Sequence, residues 1–310
     1  MRGSRYIGRY APSPTGPLHF GSLVAAVGSY LEARRRQGLW LLRIEDIDPP
    51  REMPGAKDLI LKALEAFGFQ WDGPVLYQSD RIEHYQAAVA SLVDRGHAYP
   101  CSCSRARLRR LGFGTLYPGL CRNGTEAHPL GHAIRVLTHD EPIAFTDRRC
   151  GPQSQRLESS VGDFVIRRRD GLYAYQLAVV VDDAAQGITE VVRGADLLQS
   201  TPRQIHLQRL LGLPTPAYLH LPVVTDAAGR KLSKQTGAPP LDLDHPTMGL
   251  WEALAFLGHP PPLPLRRANV QALWEWAHHH WDPARIPAPD PRQGGIKKTR
   301  TPARAPGTRS

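Results

Sequence analysis

Two short runs carry the residue types that handle phosphate. His19, Phe20, Gly21 and Ser22 follow a stretch in which Pro12, Pro14, Gly16 and Pro17 exclude regular structure. Lys231, Leu232, Ser233 and Lys234 stand about two hundred residues further on, just after the turn-like residues 226–229. From His19 onward, Leu23, Val24, Val27 and Leu31 recur at helical spacing until Arg34, Arg35, Arg36 and Gly38 close the segment. His19 and Gly21 therefore fall at a helix start, where unpaired backbone N–H groups and the positive end of the helix dipole favour an anion. Gly21 lets a bulky ligand approach the backbone, and His19 can add a donor. Two lysines and a serine on a loop suit a polyphosphate whose charge grows as pyrophosphate departs. Alone, the first run is a proline-stiffened turn before a helix and the second a solvated basic loop. As a pair they point to nucleotide chemistry.

A second group of residues could hold an amino acid. Residues 6–10 read as a short strand, and residues 39–44 form an almost continuous apolar run, as a buried parallel strand does, ending in Glu45, Asp46 and Asp48. Strand, helix and strand make a βαβ crossover, in which ligands sit beyond the carboxyl ends of the strands. Arg9, His19 and Glu45 then converge on one pocket. An amino-acid substrate needs an anion for its ammonium group, and an acidic side chain needs a cation; Glu45 and Arg9 suit those tasks. An ordinary ion pair at the strand ends would use the same residues. Residues 57–68 and 81–95 read as amphipathic helices. Further on, residues 164–167 read as a strand, residues 173–183 (YAYQLAVVVDD) as a β-branched strand ending in carboxylates, and residues 188–193 as another. A helix follows from Pro202 to Leu211, with Ser200 or Thr201 as N-cap and Gly212 as its stop. Tyr175 and Arg193 are candidates for the same pocket, or else a core tyrosine and a turn arginine.

A third group could bind metal. Cys101, Cys103 and Cys121 fall within twenty-one residues, among five arginines and the aromatics Phe113 and Tyr117. Clustered thiols in a reducing compartment suggest zinc, which takes four ligands. His128, His132 and Cys150 are candidates for the fourth place, and buried free cysteines are the alternative to a metal.

The formal net charge of +10, from 39 basic against 29 acidic side chains, favours a polyanionic partner. Six of those positive charges lie in residues 291–310, which contain no Asp or Glu, so the rest is only mildly basic. Neither an N-terminal apolar leader region nor a run of membrane-spanning length is present, and a cytoplasmic protein, with no membrane contact, is expected.

The two phosphate runs resemble the paired signatures of class I aminoacyl-tRNA synthetases, HFGS standing for His-Ile-Gly-His and KLSKQ for Lys-Met-Ser-Lys-Ser. The form APSPTGPLHFGS is similar to that of the glutamyl branch, and most of all to its short members, the glutamyl-queuosine tRNA(Asp) synthetases. The likeness runs from about Tyr6 to Gly258. It implies an α/β, Rossmann-type parallel-sheet catalytic domain with a zinc-containing insertion: first half at residues 1–98, insertion at 99–162, second half with the KLSKQ loop at 163–238. A short helical part at 239–285 and a basic, Pro-rich, disordered tail at 286–310 follow. The resemblance implies catalytic roles for His19, Gly21, Lys231 and Lys234, with His19, Gly21 and Lys234 on ATP. It implies glutamate contacts from Arg9, Ala11, Ser13, Glu45, Tyr175 and Arg193. It also implies that Tyr117 completes a zinc site with Cys101, Cys103 and Cys121, and that Mg²⁺ accompanies ATP. Two guanidinium groups match a substrate with two carboxylates and would reject glutamine, whose amide leaves one cation desolvated and unpaired.

The implied reaction has two steps: glutamate's α-carboxylate attacks the ATP α-phosphate, and an RNA hydroxyl then attacks the glutamyl-adenylate. Full-length glutamyl-tRNA synthetases continue into a helical anticodon-binding region, whereas here the resemblance ends near Gly258 and no such region is expected. The expected acceptor is therefore the cyclopentenediol of queuosine in the anticodon loop of tRNA(Asp), with the enzyme acting as a monomer. A truncated glutamyl-tRNA synthetase charging a 3′ end and a non-catalytic RNA-binding relative are the alternatives.

Overall fold

The computed structural model describes residues 5–114, 116–125, 131–225, 232 and 238–290. Among the described residues ten strands run in chain order: β1 (Ile7–Tyr10), β2 (Leu39–Ile44), β3 (Leu76–Tyr77), β4 (Ala98–Cys101), β5 (Ala133–Val136), β6 (Ile143–Asp147), β7 (Gly151–Gln155), β8 (Phe164–Arg167), β9 (Glu190–Gly194) and β10 (Ala217–Leu221). The helices are α1 (Phe20–Arg35), α2 (Ala56–Ala66), α3 (Ile82–Asp94), α4 (Arg105–Arg110), α5 (Leu157–Ser160), α6 (Tyr175–Ala185), α7 (Thr201–Leu211), α8 (Pro246–Phe256) and α9 (Val270–His280).

β1, α1 and β2 form the expected crossover, with Ile7 opposite Leu39 and Tyr10 opposite Leu42 in parallel register; β3 adds to the far edge of β2. A second sheet runs β7-β6-β10-β9, parallel except for the β6–β7 hairpin. The two sheets meet where Ile7 donates its N–H to Thr189 Oγ1 and accepts from the Thr189 N–H, both at 2.9 Å. The carboxyl ends of β1, β2, β9 and β10 consequently open on one side. Leu23, Val24, Val27 and Leu31 form the buried stripe of α1, as their spacing predicts, against Trp40, Leu42 and Ile44 of β2.

Two expected strands change their place. Residues 175–185 form the helix α6, with Leu177, Ala178, Val179 and Val180 all buried. A helix enclosed on most sides has no polar face, so its short apolar run cannot be told from a buried strand by period alone, and packing overrides the β-preference of three valines. β8, expected to resume the nucleotide domain, instead pairs antiparallel with β5, completing a three-stranded sheet β4-β5-β8 in the insertion. The C-terminal part is no appendage. Trp274, Ala277 and Trp281 pack into the core that contains Leu23 and Trp40, and so does Ile286, expected to begin the tail but fully buried. Residues 291–310 lie outside the described residues. Among the described residues no helix is long and apolar enough to cross a membrane.

Candidate active site

The strand ends surround a cleft of about 1310 Å³. Arg9, Ala11, Ser13, His19, Gly21, Glu45, Tyr175 and Arg193 all line it, although they come from five separate stretches of the chain. Lys231 and Lys234 lie outside the described residues, but Leu232 between them also lines the cleft.

At one end is the start of α1. His19 is its N-cap residue in an extended conformation, and the first turn carries no acidic side chain that would compete with a bound anion. A Cβ added to Gly21 would come within 3.0 Å of His19 Cε1 and 3.8 Å of the Leu232 carbonyl. Leu232 donates its N–H to the Val224 carbonyl at 2.9 Å, and Leu241 donates to Leu18 at 2.9 Å. Leu232 and Leu241 are thus each anchored by a backbone hydrogen bond. The proline-rich loop between β1 and α1 is fastened too: Glu45 donates its N–H to the Pro12 carbonyl at 3.0 Å.

Further in lies a buried network of alternating charge. Arg9 Nε donates to Asp183 Oδ1 at 3.1 Å, Arg43 Nη2 donates to the same oxygen at 2.8 Å, and Arg43 Nη2 stands 3.6 Å from Glu45 Oε1. Burial pushes the Glu45 carboxyl up to about 7, against the pull of Arg43 and Arg9 and with the help of Asp183 and Asp182. Asp183 is as deeply enclosed, yet two direct guanidinium contacts outweigh its burial and hold it below the usual carboxylate range. Of the other carboxylates after β2, Asp46 accepts from the Ser79 N–H and hydroxyl and from Lys57, which ties down the end of β3.

Arg193 is held differently. Its Nε donates to His220 Nε2 at 3.1 Å, Nη1 to the Tyr175 hydroxyl at 3.4 Å, and Nη2 to Thr201 Oγ1 at 2.9 Å and the Leu197 carbonyl at 3.5 Å. Every one of these acceptors is neutral. His220, the register partner of Arg193 on β10, lies 2.7 Å through Nδ1 from Asp147 Oδ2, so the proton sits on Nδ1 and Nε2 is free to accept. Burial, opposed by Asp147 and reinforced by Arg193, lowers the His220 pKa and keeps the ring neutral. Asp183, Arg43, His220 and Asp147 were not anticipated. The acidic pair closing the 173–183 run was the only signal in the chain for any of them.

The thiols also meet. The ligand atoms of Cys101, Cys103 and Cys121 lie within 4.8 Å of one another, with Cys103 and Cys121 sulfurs 3.6 Å apart. Tetrahedral zinc with sulfurs about 2.3 Å away spaces them about 3.8 Å apart, so the set fits. The Tyr117 hydroxyl stands 3.3 Å from Cys101 Sγ and 3.9 Å from Cys103 Sγ. Burial and the adjoining thiols push that hydroxyl well up, so it keeps its proton until a cation displaces it. Arg135 stacks on the Tyr117 ring and donates to Cys101 Sγ at 3.3 Å. Cys150 and His132 do not join the cluster; His128 lies outside the described residues.

The family model described as "tRNA synthetases class I (E and Q), catalytic domain" matches residues 7–113 and 122–260. The chain belongs to this family. Its α/β parallel-sheet core is the class I synthetase catalytic domain, and the chain is by membership a ligase of the aminoacyl-tRNA synthetase kind. It is 56% identical over 286 residues to a glutamyl-Q tRNA(Asp) synthetase of Aromatoleum aromaticum, covering 91% of this chain and 90% of that one. It is 54% identical over 291 residues to the protein of the same name in Thiobacillus denitrificans, covering 93% and 97%. Alignments of that length cannot fit between Tyr6 and Gly258, so the shared region is longer than the motifs alone suggest. Among solved structures, a glutamate tRNA ligase of Elizabethkingia meningosepticum in complex with its amino acid superposes with a TM-score of 0.77 at 24% identity. It matches 92% of this chain, which spans about two-thirds (66%) of that longer ligase, and this likeness bears on the fold.

Proposed function

We propose that this synthetase-family protein activates glutamate with ATP and transfers it to the cyclopentenediol of queuosine in the anticodon loop of tRNA(Asp). The observation that carries the first half is the pairing of Arg9 and Arg193 with Glu45 on the wall of one cleft, beside a helix start. Glu45 takes the ammonium group, and the two guanidiniums serve the two carboxylates. Among the described residues Arg193 is bonded to neutral acceptors and so has a charge to offer an anion, while Arg9 gives Nε to Asp183 and lines the same cleft. Ala11 and Ser13 contribute the proline-loop wall against which the amino acid rests.

ATP enters with its Mg²⁺ as substrate. Its phosphates lie at His19, Gly21 and the first N–H groups of α1, and Lys231 and Lys234 neutralise the charge that grows as the glutamate α-carboxylate attacks the α-phosphate and pyrophosphate leaves. No protein nucleophile is needed. The RNA hydroxyl then attacks the mixed anhydride, and adenylate departs. Cys101, Cys103, Cys121 and Tyr117 hold one zinc ion whose part is structural, clamping the turn between β4 and β5. The enzyme works in the cytoplasm as a monomer.

The acceptor half is supported by the names of relatives that match it over nine-tenths of its length. The test is direct: labelled glutamate is offered with tRNA(Asp) that carries or lacks queuosine. Label on the queuosine-containing RNA alone, recovered in the anticodon-loop fragment after ribonuclease digestion, is expected. Label on both RNAs, recovered with the 3′-terminal nucleoside after ribonuclease digestion, would overturn the reading in favour of terminal charging.

A further inference from the structure

Near the thiol cluster a second hollow of about 850 Å³ shares part of its lining with the cleft. Arg51, Arg105, Arg168 and Arg169 line both spaces, together with Asp48, while Asp170 lines the outer one only. The four arginines come from three places: the turn after β2, the first residue of α4, and the turn after β8. Asp48 accepts from Arg51 and, at 3.2 Å, from Arg168; Asp170 accepts from Arg168 at 2.5 Å. Among the described residues Asp48 and Asp170 offset Arg51 and Arg168, and Arg105 adds a further positive charge to the open rim. The side chains of Arg51 and Arg168 are 67% and 44% exposed, so their forks reach solvent. Arg169 is braced from the other side, donating to the Ser102 carbonyl at 2.6 Å, between two of the clustered cysteines.

None of His19, Gly21 or Leu232 lines the outer hollow, so the rim is separate from the helix start that takes the nucleotide phosphates. An acceptor hydroxyl on a polynucleotide has to enter the cleft from an open side, and its strand brings one negative charge per phosphodiester. Guanidinium forks match phosphate oxygens two at a time, and an arginine cluster is relieved of self-repulsion by a polyanion. We propose that this arginine rim seats the phosphodiesters flanking the acceptor nucleotide and so feeds the RNA strand into the cleft. The proposal rests on the reading of RNA as glutamate acceptor.

Arg105→Gln and Arg168→Gln, made in the full chain, test it, with Arg168→Lys as the variant that keeps the charge. Affinity for tRNA(Asp) lacking queuosine is measured by direct binding across a salt series, so this readout needs no catalysis. Glutamate-dependent exchange of pyrophosphate into ATP, run at saturating RNA, reports that the nucleotide and amino-acid sites are intact. Each Gln variant is expected to weaken binding roughly three- to tenfold and to flatten the slope of log affinity against log salt by about 0.7, with exchange unchanged; Arg168→Lys restores the slope. Affinity and slope equal to those of the unaltered protein in both Gln variants would overturn the rim, as would loss of exchange with RNA affinity intact. An unaltered protein that binds RNA in this salt-dependent way yet transfers no glutamate overturns the proposed reaction and leaves the rim standing.

Discussion

The two cleft arginines are distinguished by what each already holds. Arg9 shares Asp183 with Arg43 inside a network that largely cancels its own charge, whereas Arg193 is positioned by a ring nitrogen, two hydroxyls and a carbonyl. Removing the ring nitrogen should therefore misplace the arginine and leave its charge. His220→Ala is expected to raise KM for glutamate about tenfold or more with a smaller change in kcat, and His220→Gln, which offers an acceptor at similar reach, to recover part of the loss. Equal falls in both constants for both variants would mean that the histidine acts through general packing. Glu45 makes a second prediction. With its pKa raised to about 7, the carboxyl is close to half protonated at neutral pH, and only its ionised form attracts an ammonium group. Glutamate affinity should fall as pH drops below 7, approaching tenfold per unit, and binding near pH 7 should release a fraction of a proton. Calorimetry in buffers of different ionisation enthalpy reads that proton, and Glu45→Gln abolishes it. The linked stability has the opposite sense. A carboxyl whose folded pKa is raised stabilises the fold fully below its unfolded value and loses that contribution as pH rises through about 7, so Glu45→Gln should gain stability relative to the parent at pH 8.

At the scale of elements, legibility in the sequence tracked how much of each argument was local. β1, α1 and β2 could be read because the proline loop, the four-residue helical stripe and the apolar run are each contiguous, and their handedness follows from general chain geometry. α6 could not, because burial on most sides erases the period that identifies a helix. Its ends matter all the same. Tyr175 in the first turn meets Arg193, and Asp182 near the last turn accepts from Arg81, Gln78 and Tyr85, tying α3 to the floor of the cleft. Arg43 was hidden inside an apolar run, and the Asp147–His220–Arg193 chain joins residues 73 and 27 positions apart, beyond any spacing rule. The thiol cluster was legible as clustered sulfur; Tyr117 as its neighbour came only with the family resemblance. The insertion's antiparallel sheet lies against that cluster, with Cys101 the last residue of β4 and Arg135 on β5 donating to its sulfur. The purified protein is expected to carry about one zinc per chain by elemental analysis. Cys121→Ser should lose it and lower the melting temperature, with transfer to RNA falling further than glutamate activation, since Ser102 in the same turn braces a rim arginine. Full thermal stability after complete removal of metal would sink the structural role.

Across the whole molecule, the two half-sheets share one edge and the C-terminal helices close over the first of them. Trp274 donates its indole N–H to the Phe67 carbonyl at 2.9 Å, and its ring lies edge-on to Tyr30 with centroids 4.9 Å apart. Trp281 donates to Glu32 Oε1 at 2.9 Å, and the other oxygen of that buried carboxylate meets Arg148, 2.8 Å away, in the turn between β6 and β7. Glu32 on α1 thereby joins the C-terminal segment to the second sheet, at the end of α1 remote from the nucleotide site. Among the described residues, α9 and the residue after it supply aromatic side chains to the core of the nucleotide domain itself. The contribution can be separated into packing and polar parts. Trp281→Ala should cost about 3–5 kcal/mol by leaving a cavity, whereas Trp281→Phe keeps most of the ring and mainly removes one donor from a buried carboxylate, costing about 1–3 kcal/mol. Urea denaturation with an unchanged slope measures both. Because the tryptophan lies away from the cleft, glutamate-dependent pyrophosphate exchange per folded molecule should stay at the parent level in each variant. A large fall in exchange with little change in the unfolding midpoint would mean that the C-terminal helices act on the cleft itself and do more than close the core.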